Sequence, residues 1–179
     1  MKTRRVFTPA DTKSNDGMLT TVWGPSLWHV LHTMSFNYPT HPTKDQKKYF
    51  RDFILNLVHV LPCKYCRENL IKNFKTLPLT YSEMENRNTF SRYVYTLHET
   101  VNKMLNKPST LSYCDVRERY EHFRARCNVT TQVEKGCTEP LVGKKSKGVI
   151  VIIPQDEPCG ETIQIDKQCL KSRINLRPS

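Results

Sequence analysis

Two cysteines three residues apart, Cys63 and Cys66, stand in the stretch Leu61-Pro62-Cys63-Lys64-Tyr65-Cys66-Arg67-Glu68-Asn69-Leu70, at the start of a predicted helix. Two thiols on a first helical turn can close into a small disulfide, and the unpaired N–H groups of that turn favour a thiolate over a thiol. The same pair is also half of a zinc site. Zinc needs a second ligand pair, however, and no other Cys or His pair in the chain has C-x-x-C or H-x-x-x-H spacing. The spacing therefore favours redox chemistry. Trp28 and His32 lie one turn apart on another predicted helix, and His98 and Asn102 one turn apart on a third. Rings placed this way can line a flat cofactor or fill a core, and spacing alone leaves both readings open.

The elements that must position these residues are read from periodicity and caps. A first helix is expected near Gly24-Pro25-Ser26, because proline is tolerated in a first turn, and it ends before Pro39. Thr43-x-x-Gln46 is a capping box for a second helix, whose Tyr49, Phe50, Phe53, Ile54, Leu57, Val58 and Leu61 repeat at helical spacing. Pro62 closes it just before the cysteines. A third, short helix runs from about Lys64 to Lys75. Ser82-x-x-Glu85 is read as the cap of a fourth, which carries Phe90, Tyr93, Val94, Leu97, Val101, Met104 and Leu105 and ends before Pro108. A fifth segment, Ser112 to about Arg126, has Val116, Tyr120 and Phe123 on one side and Cys114 and Cys127 at its ends. An unbroken helix would hold those two sulfurs roughly 20 Å apart, so a bond between them requires a bend.

The predicted fold class is all-α: a four-helix bundle with a short fifth helix, plus a weakly ordered C-terminal tail. Helix bundles commonly build cofactor sites from facing side chains. The expected division is a mobile N-terminal segment over 1–21, a bundle domain over 22–127 and a tail over 128–179. In the tail the run Val149-Ile150-Val151-Ile152-Ile153 has only Thr162-Ile163-Gln164-Ile165 as a strand partner, which allows one hairpin.

Composition narrows the classes further. The formal charge of +11 is concentrated in residues 1–127, with 20 Lys/Arg against 11 Asp/Glu, while residues 128–179 carry 8 against 6. Net charge alone does not separate nucleic acid, acidic proteins and an anionic cofactor as partners, but no basic cluster interleaved with aromatics resembles a nucleic-acid motif. No apolar run approaches membrane-spanning length, and residues 1–20 contain no signal-peptide core. Seven cysteines without a signal peptide suggest a chain that enters an oxidising compartment by another route or makes disulfides where it is. The odd number leaves at least one thiol free or paired between chains.

Three stretches together resemble the Erv/ALR family of FAD-linked sulfhydryl oxidases. Trp23-Gly24-Pro25-Ser26-Leu27-Trp28-His29-Val30-Leu31-His32-Thr33-Met34 is similar to the family's Gly-x-x-x-Trp-x-x-Leu-His-Thr. Pro62-Cys63-Lys64-Tyr65-Cys66 follows, and then His98-Glu99-Thr100-Val101-Asn102-Lys103-Met104-Leu105-Asn106-Lys107-Pro108, against His-Asn-x-Val-Asn-x-x-Leu-x-Lys-Pro. Each motif alone is weak; their order and spacing across residues 22–127 are specific. Pro25, where cellular members often carry Arg, looks like the versions carried by large DNA viruses. Glu99 replaces the first Asn of the last motif.

The resemblance implies an enzyme that forms disulfides in dithiol protein substrates and passes the electrons through FAD to O2, giving H2O2. It implies a homodimer, with neither membrane nor nucleic acid as partner. Cys63 and Cys66 become the catalytic pair, with Cys66 facing the flavin and Cys63 meeting substrate. Gly24, Trp28, His32, Cys66, His98, Val101, Asn102 and Lys107 become cofactor-binding, and Tyr120 looks like the family's Trp that packs on the cofactor. Cys114 and Cys127 resemble its structural disulfide. Cys159 and Cys169 are candidates for a shuttle pair on the tail, leaving Cys137 as the odd thiol. The implied location is the host cytoplasm or virion for a viral chain, and the mitochondrial intermembrane space otherwise. The competing reading is a basic zinc- or nucleic-acid-binding module built on Cys63 and Cys66.

Overall fold

The computed structural model describes residues 8–13, 17–107, 109–126, 137, 139–141, 143–154 and 156–157. Among these, six helices follow one another: α1 (Pro9–Thr12), α2 (Thr20–Asn37), α3 (Lys44–Val60), α4 (Lys64–Thr76), α5 (Arg87–Met104) and α6 (Tyr113–Glu121). Helix α2 packs against α5 and α6, and α3 packs against α4. The apolar stripes of α2 to α5 meet in one core that includes Leu31, Ile54, Leu57, Leu70, Phe90, Val94 and Leu97. This is the expected bundle with a short additional helix.

Local hydrogen bonds explain where the helices begin. At α3 the capping box forms as read: Gln46 N–H donates to the Thr43 hydroxyl at 3.2 Å and Thr43 N–H donates to the Gln46 side-chain oxygen at 2.9 Å. Ser112 and Asp115 make the same box at α6. Helix α5 opens later than the sequence suggests. Glu83, not Glu85, turns back to receive the Thr80 N–H at 2.8 Å, and Glu85 reaches across to Lys47 at 2.8 Å. Residues 81–84 are therefore a turn, and Asn86 caps α5 by accepting from Asn88 and Thr89 N–H at 2.9 and 3.1 Å.

Helix α2 starts one turn before the expected position, at Thr20, so Pro25 lies inside it. That extra turn is held by Trp23, whose indole N–H donates to the Met18 carbonyl at 3.0 Å while its ring packs on the core. The other end of α2 is tied by side chains distant in sequence, from α5 and from the segment after α6, because its last carbonyls have no partner within the helix. Arg87 donates to Tyr38 O at 2.6 Å and Arg124 donates to Phe36 O at 2.7 Å. Tyr38, fully buried, sends its hydroxyl to Met84 O at 2.9 Å.

Both ends of the chain differ from expectation where they are described. Residues 17–21, assigned above to a mobile segment, are joined to the bundle: Met18 N–H donates to Pro62 O at 2.6 Å, and Gly17 faces Cys63 in an antiparallel bridge. Helix α6 stops at Glu121, short of Arg126, and the chain continues into β1 (Ala125–Arg126), which pairs antiparallel with β2 (Glu139–Pro140). Residues 139–141 of the tail are thus joined to the segment that follows α6, with Leu141 N–H donating to Arg124 O at 2.8 Å. The apolar run Val149–Ile153 is exposed and belongs to no strand, and its expected partner, 162–165, lies outside the described residues.

Candidate active site

The cysteine pair sits where two helices meet. Helix α3 ends before Pro62, with Leu61 extended at ψ 134°, as a residue before proline prefers. Cys63 is then the N-cap of α4, its sulfur accepting the Cys66 N–H at 3.2 Å. A guanidinium hydrogen bond from Arg67 to the Leu61 carbonyl closes the loop from the other side. Cys63 and Cys66 form a disulfide with their Cα atoms 5.2 Å apart. The two sulfurs are not equally open: Cys63 is only 8 % exposed, whereas Cys66 is half-buried against the core.

Helices α2 and α5 bring the expected rings together. Trp28 stacks on His98 with centroids 4.1 Å apart and planes 10° apart. His32, buried on α2, meets His98 across the interface, with Nε2 and Nδ1 at 3.0 Å. One of these nitrogens donates and the other accepts, so the two rings take complementary tautomers. Burial holds both imidazoles neutral: the His32 pKa falls from 6.5 to about 3, chiefly by desolvation and then by its two histidine neighbours. That of His98 falls to about 4 by desolvation. His32 Nδ1 is buried with no hydrogen-bond partner among the described residues. A buried polar atom without a partner is costly, so this one marks a place where a further group belongs.

Tyr120, from α6, joins the same cluster, with its ring 5.3 Å from His32 and stacked 5.3 Å from Phe36 at 11°. Its hydroxyl lies 3.2 Å from His29 Nδ1. Sequence reasoning did not single out His29 or Phe36. The signal was present for both, since His29, His32 and Phe36 follow at i, i+3 and i+7 on one face of α2.

Asn102 and Lys107 meet at the end of α5 because the helix closes in a Schellman turn. Asn106 adopts the left-handed conformation with φ 52°, and its N–H donates to Lys103 O at 3.1 Å while Lys107 N–H donates to Asn102 O at 2.9 Å. The chain returns over the last turn, so Asn102, Lys103 and Lys107 line one groove of about 470 Å³ with Glu99, Asn106 and Ser109. Glu99 accepts the Asn102 side-chain N–H at 3.0 Å. Val101 is half-buried on the same helix. Gly24, inside α2, is half-buried, yet a Cβ there would meet no atom of the chain within 4 Å.

Two cysteine expectations are corrected. Cys114 is a free, exposed thiol, so the Cys114–Cys127 disulfide is not formed. Cys114 lies on the outer side of α6, in its first turn, and the helix that follows carries the chain away from it. Cys137, expected to be the odd thiol, is disulfide-bonded instead. Cys127, Cys159 and Cys169 lie outside the described residues.

Comparison with known proteins defines the class. The family model "Erv1 / Alr family" matches residues 25–124, which is more than half of the chain, and the chain belongs to that family. An "FAD-linked sulfhydryl oxidase" of African swine fever virus is 29% identical over 117 residues, covering 65% of this chain and 91% of the relative. The "Mitochondrial FAD-linked sulfhydryl oxidase ERV1" of Saccharomyces cerevisiae is 32% identical over 85 residues, covering 48% of this chain and 43% of the relative. Among solved structures, the FAD-binding domain of Erv1 from Saccharomyces cerevisiae superposes with a TM-score of 0.52 at 28% identity, over 57% of this chain and 94% of that one. No helix among the described residues is long and apolar enough to cross a membrane.

Proposed function

We propose that this chain is an FAD-linked sulfhydryl oxidase, which forms disulfides in protein dithiols and reduces O2 to H2O2. The observation that carries the reading is the Cys63–Cys66 disulfide at the N-terminus of α4, in a bundle of the Erv1/Alr family. The residues fit a flavin cofactor. Trp28, His32 and His98 form a ring cluster in which His32 Nδ1 lacks a partner among the described residues, Gly24 leaves open space beside α2, and two lysines and two asparagines line the groove at the end of α5 together with Glu99 and Ser109. In this reading Trp28, His32, His98 and Tyr120 hold the ring system. Gly24 and Val101 allow close approach, while Asn102 and Lys107 meet the diphosphate, for which a lysine is a suitable point charge.

The chain's own residues account for the thiol half of the reaction. A substrate thiolate attacks Cys63 Sγ; the Cys63–Cys66 bond breaks, and Cys66 leaves as a thiolate at a helix N-terminus, where the backbone N–H groups stabilise it. A second substrate thiolate attacks the substrate sulfur of the mixed disulfide, giving the product disulfide and a Cys63 thiolate. FAD, when bound, accepts the two electrons and delivers them to O2.

The test is the colour and the turnover of the purified protein. We expect flavin absorption at about 450 nm and oxygen uptake with dithiothreitol. Bound zinc with no flavin would overturn the reading in favour of a zinc module.

Three further parts of the proposal come from family likeness: a homodimer, a location in host cytoplasm or virion for a viral chain or the mitochondrial intermembrane space otherwise, and a shuttle pair at Cys159 and Cys169. Tethering gives a shuttle a high effective concentration at Cys63. Deleting residues 128–179 should leave oxidation of small dithiols nearly unchanged and slow oxidation of a reduced protein. Equal loss for both substrates would make the tail a structural part instead.

A further inference from the structure

The cysteine assigned to meet substrate is covered by the chain's own N-terminal side. Gly17 faces Cys63 in an antiparallel bridge, and Met18 N–H donates to Pro62 O at 2.6 Å. That bond runs from the residue after Gly17 to the residue before Cys63, so Gly17 and Cys63 are a directly facing pair with no hydrogen bond between them. The approach is very close: a Cβ on Gly17 would lie 2.3 Å from Pro62 O and 2.8 Å from Cys63 Cα, and Gly17 has φ +96°. Only glycine fits there without a shift. On the other side of the pair the backbone of Cys63 is extended, at φ −153° and ψ 121°.

We propose that the extended Pro62–Cys63 backbone is a docking edge for a cysteine-bearing segment of the substrate polypeptide, and that residues 17–19 occupy it as an intramolecular strap. This rests on the sulfhydryl-oxidase reading, which it extends to how a protein substrate is held. Facing residues of an antiparallel pair have Cα atoms about 4.5 to 5.5 Å apart, and a disulfide spans about 4.4 to 6.8 Å between Cα atoms. A substrate cysteine paired there at this ordinary antiparallel spacing, farther out than Gly17 so that its Cβ clears Pro62 O, is therefore within bonding reach of Cys63. The following residue of the substrate supplies the N–H that Met18 now supplies to Pro62 O. Recognition through the backbone tolerates many sequences around the cysteine, as a general oxidase requires.

The strap is built to leave. Met18 and Leu19 are 69 % and 75 % exposed, so they bury little surface, and the described ties of the strap are the bridge, the Pro62 bond, the Trp23 bond to Met18 O and the Val22 N–H bond to Leu19 O at the start of α2. While seated, it leaves Cys63 8 % exposed. Displacement by a substrate exchanges one backbone pairing for another, so the edge is never left without a partner.

The test uses the full chain carrying Cys66→Ser and Cys114→Ser, which leaves Cys63 a single thiol at the site. The probes are two short peptides with one cysteine each, activated as the thionitrobenzoate mixed disulfide, with alanine or proline directly after the cysteine. Cys63 thiolate attacks the peptide sulfur, thionitrobenzoate leaves, and the Cys63 adduct is followed by mass spectrometry. Neither flavin reduction nor oxygen takes part, so failure of the oxidase reading and failure of this one are separate results.

Adding Gly17→Val should speed capture of the alanine peptide about tenfold, and the proline peptide, which lacks the N–H, should then react about fivefold more slowly than the alanine one. Met18→Pro removes the strap's own N–H without placing a Cβ against Pro62, and should accelerate capture likewise. If neither variant accelerates capture, or if both peptides react alike in the variants, the proposal is overturned.

Discussion

Cys66→Ser is expected to purify with its flavin and to lose thiol oxidation by roughly a thousandfold or more, since removal of a reacting nucleophile abolishes a path and does not merely weaken it. The two halves of this result have different structural causes. The cofactor contacts proposed here belong mainly to α2 and α5, through Trp28, His32, His98 and Asn102, and the substitution touches none of their mutual bonds. Serine is close in size to cysteine, and the N–H that Cys66 donates to the capping Cys63 sulfur is a backbone group, so α4 keeps its start. What disappears is the leaving sulfur: Cys63 can no longer be half of a disulfide, and a substrate thiolate has no bond to break. The measurement is the ratio of flavin to protein absorbance together with oxygen uptake on dithiothreitol. Turnover within tenfold of the unmodified chain would remove Cys66 from the reaction.

His32→Ala and His98→Ala are each expected to release most of the flavin, a loss of at least tenfold in affinity. Each truncation leaves the other histidine buried with a nitrogen unpaired, at a cost of about 1 to 3 kcal/mol, and opens a void beside Trp28. His32 carries the larger effect because its free Nδ1 is the buried polar atom best placed to receive a further group. Flavin content after gel filtration measures this directly. Full flavin and normal turnover in both variants would make the pair ordinary core packing.

The same pair sets an acid limit. Both folded-state pKa values lie below the ordinary 6.5, at about 3 and about 4, so the unfolded chain binds protons that the folded chain refuses. Their contribution to stability is complete above pH 6.5 and is lost as pH falls from there, towards about 4 for His98 and about 3 for His32. Thermal melts across that range should show the midpoint falling, and the double substitution His32→Gln and His98→Gln should flatten the slope.

The sequence by itself determined the features carried by residues three or four positions apart. Cys63 capping Cys66, the Thr43–Gln46 and Ser112–Asp115 boxes and the placing of Trp28 with His32 all depend on the pitch of one helix turn, which spacing encodes. The family resemblance rests on the same short stretches. Where two local solutions competed, spacing was not enough: Ser82 and Asn86 are both good caps, and Asn86 prevails because Glu85 is drawn away to Lys47 on α3.

The tertiary structure alone decided every contact between distant segments. His29 and Tyr120 are 91 residues apart, and they meet because α6 crosses α2. Gly17 reads in the sequence as a residue of a polar leader; its role against Pro62 and Cys63 exists only once α3 and α4 have set that corner. Cys114 was paired by likeness, but a sulfur on the outer side of α6 bonds only to what packs beside it, and it is free. Helix pitch is a property of each short stretch, whereas these meetings depend on how whole helices pack, to which every core side chain contributes and no single spacing records.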